Sequence, residues 1–165
     1  MKRILLIALP LFALDQLTKA LVVHQMDIGD ARPVIANFFE LVHVINTGAA
    51  FGSFKDGNLF FIALSLLVIG MLAFYYKRGA FPGRGPQTGL ALFLAGILGN
   101  LTDRLIHGHV VDFLSFDLHV PFADPWPAFN VADSCICVAA VIFVVHSLFE
   151  KKEAEVAKRP DSSPS

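Results

Sequence analysis

Four apolar blocks, Ile4–Val23, Asn58–Tyr76, Thr88–Ile106 and Asp133–Phe149, limit what this chain can fold into. Each approaches the roughly 20 residues that cross the hydrocarbon core of a bilayer. A soluble domain would break such runs with charge, carrying about 25% Asp, Glu, Lys and Arg. Here 16% of residues are charged and 55% are hydrophobic. The sequence therefore predicts a membrane protein, mainly α, with four transmembrane helices and a small extracytoplasmic β-containing segment. Residues 1–150 form one membrane domain in this reading, and the charged, Pro/Ser-rich 151–165 form a disordered tail. No basic patch with interleaved aromatics suggests nucleic acid. Cys135 and Cys137 lie two apart in the last block, point in different directions, and read as small core residues.

The first block has a basic start like a signal peptide, but it continues past Asp15 and Lys19 to Val23 without a small-residue cleavage site. It reads as a retained helix. Asp15 and Lys19 share a helix face, either as an ion pair with the lysine reaching the interface or as part of a polar site. Residues 24–57 are more polar. Within them NFFELVHVIN alternates enough for one or two strands, and NTGAAFGSF supplies small residues suited to close backbone approach. The second block, free of ionisable groups and ended by Tyr75, Tyr76, Lys77 and Arg78, reads as scaffold.

On the third block, about 100° per residue puts Gly96, Asn100, Asp103, Arg104 and His107 within roughly one third of the circumference. A polar stripe on a membrane helix faces protein or a water-filled cavity. Pro86 is placed to start this helix. HVVDFLSFDLHV then reads as a strand with Asp112 on an otherwise apolar face, and PFADPWPAF as a loop with Trp126 as an interfacial anchor. Asn130 and Asp133 open the fourth helix with cap spacing. Lys2, Arg3, Lys77, Arg78, Arg84, Lys151, Lys152, Lys158 and Arg159 flank one side, against Arg32 and Lys55 on the other. The positive-inside rule then predicts cytoplasmic termini and places both carboxylates, Asp112 and Asp133, at the outer face.

In this order on four helices, DQLTK, NTGAAFG, GILGNLTDR, VVDF and FNVAD resemble lipoprotein signal peptidase (signal peptidase II) of bacteria, across Asp15 to Phe149. One departure is Ala95, where the family usually has the first glycine of a pair. The resemblance implies an intramembrane aspartic endopeptidase of the inner membrane. It would remove the signal peptide from diacylglyceryl-modified prolipoproteins by cutting before the lipid-bearing Cys. It implies Asp112 and Asp133 as the catalytic pair; Asn46, Gly48, Gly96, Asn100, Arg104 and Asn130 as substrate and inhibitor contacts; and Asp15 and Lys19 in support. It further implies inhibition by globomycin, and the expectation is a monomer among membrane lipids with no cofactor and no metal. The chemistry of the residues agrees: neighbouring carboxylates share a proton, so that one can take a proton from water while the other serves the carbonyl. Two rivals fit less well. A small carrier should show related helix pairs, and a zinc peptidase built on His107, His109 and Asp112 has no third ligand at standard spacing.

Overall fold

The computed structural model describes residues 1–48, 57–120 and 126–157, with side chains through Phe149. Helix α1 (Lys2–Gln25) leads into strands β1 (Ala31–Ile35) and β2 (Phe39–Asn46). Helices α2 (Asn58–Lys77) and α3 (Arg84–His107), strands β3 (Val110–Phe116) and β4 (Trp126–Phe129), and helix α4 (Val131–Ala157) follow. All four helices are long and apolar enough to span a membrane. Leu6, Leu66, Leu67, Val141 and Leu148 are among their exposed apolar side chains, as a lipid-facing surface requires.

Helix α3 is the central post: it packs against each of the other three. Over its most apolar window 56% of residues are buried, against 6% for α2, because α3 alone is surrounded by helices. Its glycines permit this. A Cβ on Gly96 would lie 2.4 Å from the Ala132 carbonyl oxygen, and one on Gly99 would lie 2.5 Å from Asp15 Oδ2. Ala95, the departure from the family pattern, is itself buried. The helix begins at Arg84, two residues before Pro86. A proline is tolerated there because first-turn N–H groups have no helical partner. It ends at Gly108, whose φ of 78° provides the left-handed cap and turns the chain into β3.

The strands form one antiparallel sheet in the order β1-β2-β3-β4. Two of them were not expected. β1 (ARPVI) and β4 (WPAF, within the expected loop PFADPWPAF) are the sheet edges, where Pro33 and Pro127 can be accommodated without breaking an inner ladder. In β3 the residues Val110–Phe113 are all buried. Val111 and Phe113 pack with Val22 of α1 and with Met26 just beyond its end, while Asp112 between them meets polar side chains. A second apolar cluster, Ile4, Ala8, Leu90, Ala91 and Ala95, lies toward the other end of α1 and α3. Along α1 the buried Asp15 and Lys19 fall between these two clusters, so the protein has a polar layer between two apolar ones.

Cys135 is buried but Cys137 is exposed, so only the first is a core residue. Helix α4 continues to Ala157, through KKEAEVA, whose residues are mostly good helix formers. Residues 158–165 of the expected tail lie outside the described residues, as do 49–54 of the NTGAAFGSF stretch.

Candidate active site

The two carboxylates arrive on different elements. β3 carries Asp112. Its neighbour β2 has a one-residue irregularity between Leu41 and Val44, after which Val44 pairs with Asp112 and Asn46 with Val110. Asn46 therefore sits diagonally across from Asp112 on the same sheet face and donates from Nδ2 to Asp112 Oδ2 at 2.9 Å. Its own Oδ1 accepts from the Gly48 N–H at 3.0 Å, which fixes the amide's orientation.

Asp133 lies in the first turn of α4, where the helix dipole favours a negative charge. Asn130 is the cap. Its Oδ1 accepts from Asp133 N–H at 2.9 Å, and Asp133 Oδ2 accepts from Asn130 N–H at 3.2 Å. The capping expected from the sequence is therefore present, and the same asparagine does more. It is fully buried, and its Nδ2 donates to Asp112 Oδ1 at 2.8 Å and lies 3.2 Å from both Asn100 Oδ1 and the Val111 carbonyl.

Asn100 completes the connection. Lys19 Nζ donates to its Oδ1 at 3.0 Å, and an ammonium cannot accept. The Asn100 amide nitrogen is therefore directed to Asp133 Oδ1, at 2.7 Å. Each carboxylate thus receives a side-chain amide, and Asn130 touches both. Burial pushes the Asp112 carboxyl up to about 7, with the Asp133 charge adding to the rise and Asn46, Asn130 and Lys19 opposing it.

Beneath this pair is a buried ionic cluster. Lys19 Nζ lies 2.9 Å from Asp15 Oδ2 and 2.9 Å from Asp103 Oδ2. The intrahelical ion pair expected of DQLTK is therefore present, but the lysine is 4% exposed and turns inward to the polar layer rather than reaching outward along the helix. Gln16 Nε2 also contacts Asp15 and Asp103, each at 3.1 Å. Asp103 and Gln16 were absent from the expected site, although Asp103 lies on the polar stripe of α3. His107, on the same stripe, is exposed.

A cavity of about 530 Å³ opens beside the pair. Asn46, Gly48, Arg104, Asp112 and Asp133 line its polar part, whereas Phe61, Trp126, Phe129, Ile136 and Val138 help make an apolar wall. Asn100 and Asn130 stand behind the carboxylates. Gly96 is instead buried against α4, where its closest neighbour is backbone. The Arg104 guanidinium donates to the Gly48 carbonyl at 3.1 Å and lies 4.8 Å over the Phe61 ring. Asn58 Nδ2 donates to the Arg104 carbonyl at 3.3 Å. Helix α2 thus contributes to the site and is more than scaffold. An aromatic in an apolar helix gives no sign in sequence that it will lie under an arginine.

The fold and site together define a polytopic membrane protein with two carboxylates held by a shared amide network beside an apolar cavity. Residues 7–149 match the Signal peptidase (SPase) II family, and the chain belongs to that family. It is 45% identical over 154 residues to the lipoprotein signal peptidase of Desulforapulum autotrophicum, covering 90% of this chain and 93% of that one. It is 35% identical over 152 residues to that of Staphylococcus carnosus, covering 92% and 94%. Among solved structures it is similar to a bacterial membrane enzyme determined by the in meso method at 2.3 Å, with a TM-score of 0.86, 27% identity, and coverage of 99% and 96%. A second such enzyme, at 1.9 Å, gives a TM-score of 0.80 at 30% identity over 90% and 94% of the two chains. The chain is accordingly a multi-pass peptidase of the bacterial inner membrane that removes signal peptides from prolipoproteins.

Proposed function

We propose that the chain is an aspartic endopeptidase in which Asp112 and Asp133 do the chemistry, acting on diacylglyceryl-modified prolipoproteins and cutting before the lipidated Cys. The observation that carries this reading is the amide network, in which Asn130 joins Asp112 to the cap of the helix bearing Asp133. Asp133, at the positive end of α4, is the ionised partner that takes a proton from water. Asp112, with its raised pKa, holds the shared proton and passes it toward the scissile carbonyl. The remaining guanidinium N–H groups of Arg104 and the amide of Asn46, both on the cavity wall, are donors for substrate carbonyls or for a developing oxyanion, while the buried Asn130 amide orients Asp112 from behind. The apolar wall formed with Phe61, Trp126 and Ile136 suits an apolar signal peptide and the acyl chains of the lipidated Cys. Globomycin occupies the same cavity, and the enzyme works as a monomer.

The reaction takes place at the outer face, with both termini cytoplasmic, on the distribution of Lys and Arg. The test is to incubate purified enzyme with a diacylglyceryl prolipoprotein and, in parallel, with its unmodified precursor. Release of the signal peptide from the first alone, with the lipidated Cys as the new N-terminus, is expected. Equal cleavage of both removes the lipid requirement, and cleavage at another bond removes the assignment of the cut.

A further inference from the structure

The buried ionic cluster reaches the backbone as well as the side chains. Asp15 Oδ1 accepts from the N–H of Ala132 at 2.8 Å, and Ala132 immediately precedes Asp133. Asp103 Oδ2 accepts from the N–H of Val111 at 3.2 Å, and Val111 immediately precedes Asp112. The two acceptors are themselves joined, since Lys19 Nζ lies 2.9 Å from each of the two carboxylates.

The arrangement has the form of a clamp. One arm starts on α1 and holds α4 at the residue before one carboxylate. The other starts on α3 and holds β3 at the residue before the other. Lys19 is the pin between the arms, with Gln16 bracing the same two acids. Asp15, Lys19 and Asp103 are 1%, 4% and 3% exposed, so the contacts are not diluted by solvent. Holding the backbone one residue away limits where each carboxylate can swing, adding to the Asn130 cap on the Asp133 N–H and to the asparagine contacts at the carboxylate ends.

We propose that Asp15, Lys19 and Asp103 form a positioning clamp that sets the separation of Asp112 and Asp133 through the amides of Ala132 and Val111, with Asp103 as a positioning residue for the reaction. The proposal rests on the reading of Asp112 and Asp133 as the reacting pair. None of the three clamp residues lines the cavity, so none contacts substrate in the clamp's operation. Loosening the clamp lowers the rate of the chemical step and leaves substrate binding alone. Misplacing a reacting group by about 1 Å costs on the order of 100-fold.

The experiment measures kcat and KM on a diacylglyceryl prolipoprotein for Asp103→Asn, Lys19→Met and the double variant, with Asp112→Asn and Asp133→Asn alongside. Each single clamp variant is expected to lose on the order of 100-fold in kcat, with KM within about twofold of the parent. Because both act through one pin, the double variant should be no slower than the worse single, whereas unrelated structural damage would multiply. Unchanged kcat, a loss confined to KM, or multiplicative losses overturn the clamp. Cleavage by Asp112→Asn or Asp133→Asn overturns the carboxylate pair itself. If those two are inactive while Asp103→Asn keeps its kcat, only the clamp fails. Should the charge variants not fold, Gly99→Ala serves, since its Cβ would lie 2.5 Å from Asp15 Oδ2 and displace that arm without removing a charge. Folded Gly99→Ala with parental kcat also overturns the proposal.

Discussion

Asn130 gives its side-chain amide to Asp112 at 2.8 Å while its side-chain oxygen caps the helix that begins immediately after it. One residue thus ties a strand carboxylate to a helix terminus. The two ends of one planar group cannot move independently, so any shift of α4 relative to β3 strains either the cap or the Asp112 contact.

Replacing Asn130 by Ser separates these duties. A serine hydroxyl still caps the helix but is too short to keep the Asp112 contact. The cap should survive, the lost buried amide contacts should cost about 1–3 kcal/mol, and kcat should fall by roughly 10-fold to 100-fold as the orienting donor is lost. Thermal unfolding in detergent and steady-state turnover measure the two. A Tm loss with parental kcat would confine Asn130 to capping.

Asp112→Asn and Asp133→Asn should each abolish cleavage while helix content by circular dichroism is unchanged, since each keeps shape and removes only a titrating group. Globomycin affinity should distinguish them. Asp112→Asn mimics the neutral partner and should bind the inhibitor nearly as the parent does, and Asp133→Asn should differ. Equal affinity in both variants would leave the pair in place and cancel the division of roles.

The raised carboxyl of Asp112 gives two pH dependences. In the proposed mechanism turnover needs its proton, so kcat should fall as pH rises through about 7. Stability moves in the same direction. The group binds its proton more tightly folded than unfolded, so its contribution is full below the ordinary value of 3.8 and is lost as pH rises through about 7. Asp112→Asn has no such loss. Its Tm should gain on the parent by a few degrees between about pH 4 and 7 and then hold constant. A gap that shrinks over that window would contradict the direction of the shift.

Gly96 and Gly70 make a matched pair in two apolar helices. A Cβ at Gly96 meets the Ala132 carbonyl oxygen at 2.4 Å, and backbone cannot move aside. Gly96→Ala should cost about 1–3 kcal/mol and lower kcat by displacing the turn that holds Asp133. Gly70 has nothing within 4 Å of its Cβ position, so Gly70→Ala should leave kcat unchanged and, inside a helix, hold or slightly raise Tm. Tm and kcat of the two variants provide the comparison.

Much of this was legible along the chain because each signal was local. Apolar length alone marks Ile4–Val23 or Asn58–Tyr76 as a span, since a bilayer sets that length. The stripe from Gly96 to Arg104 follows from the helical period, and the spacing of Asn130 and Asp133 from the geometry of a helix start. Order and spacing of five short motifs indicated the family. Strands β1 and β4 were not legible, because four or five residues containing a proline carry no alternation of their own and exist only by pairing with β2 and β3.

The sequence by itself determined that four helices cross a membrane, that α3 has one polar face, and that Asp112 is an acid on an apolar strand. Only the tertiary structure decided what those groups meet. That Lys19 pairs with Asp103 as well as Asp15, that Asp15 holds the start of α4, and that Phe61 lies under Arg104 are contacts between residues remote in sequence. The reason is physical. A periodicity fixes which way a side chain points from its own helix, whereas its partner depends on how closely and at what height two elements pack. Here Gly96 and Gly99 set that approach, by letting α3 come against the Ala132 backbone of α4 and the Asp15 carboxylate of α1.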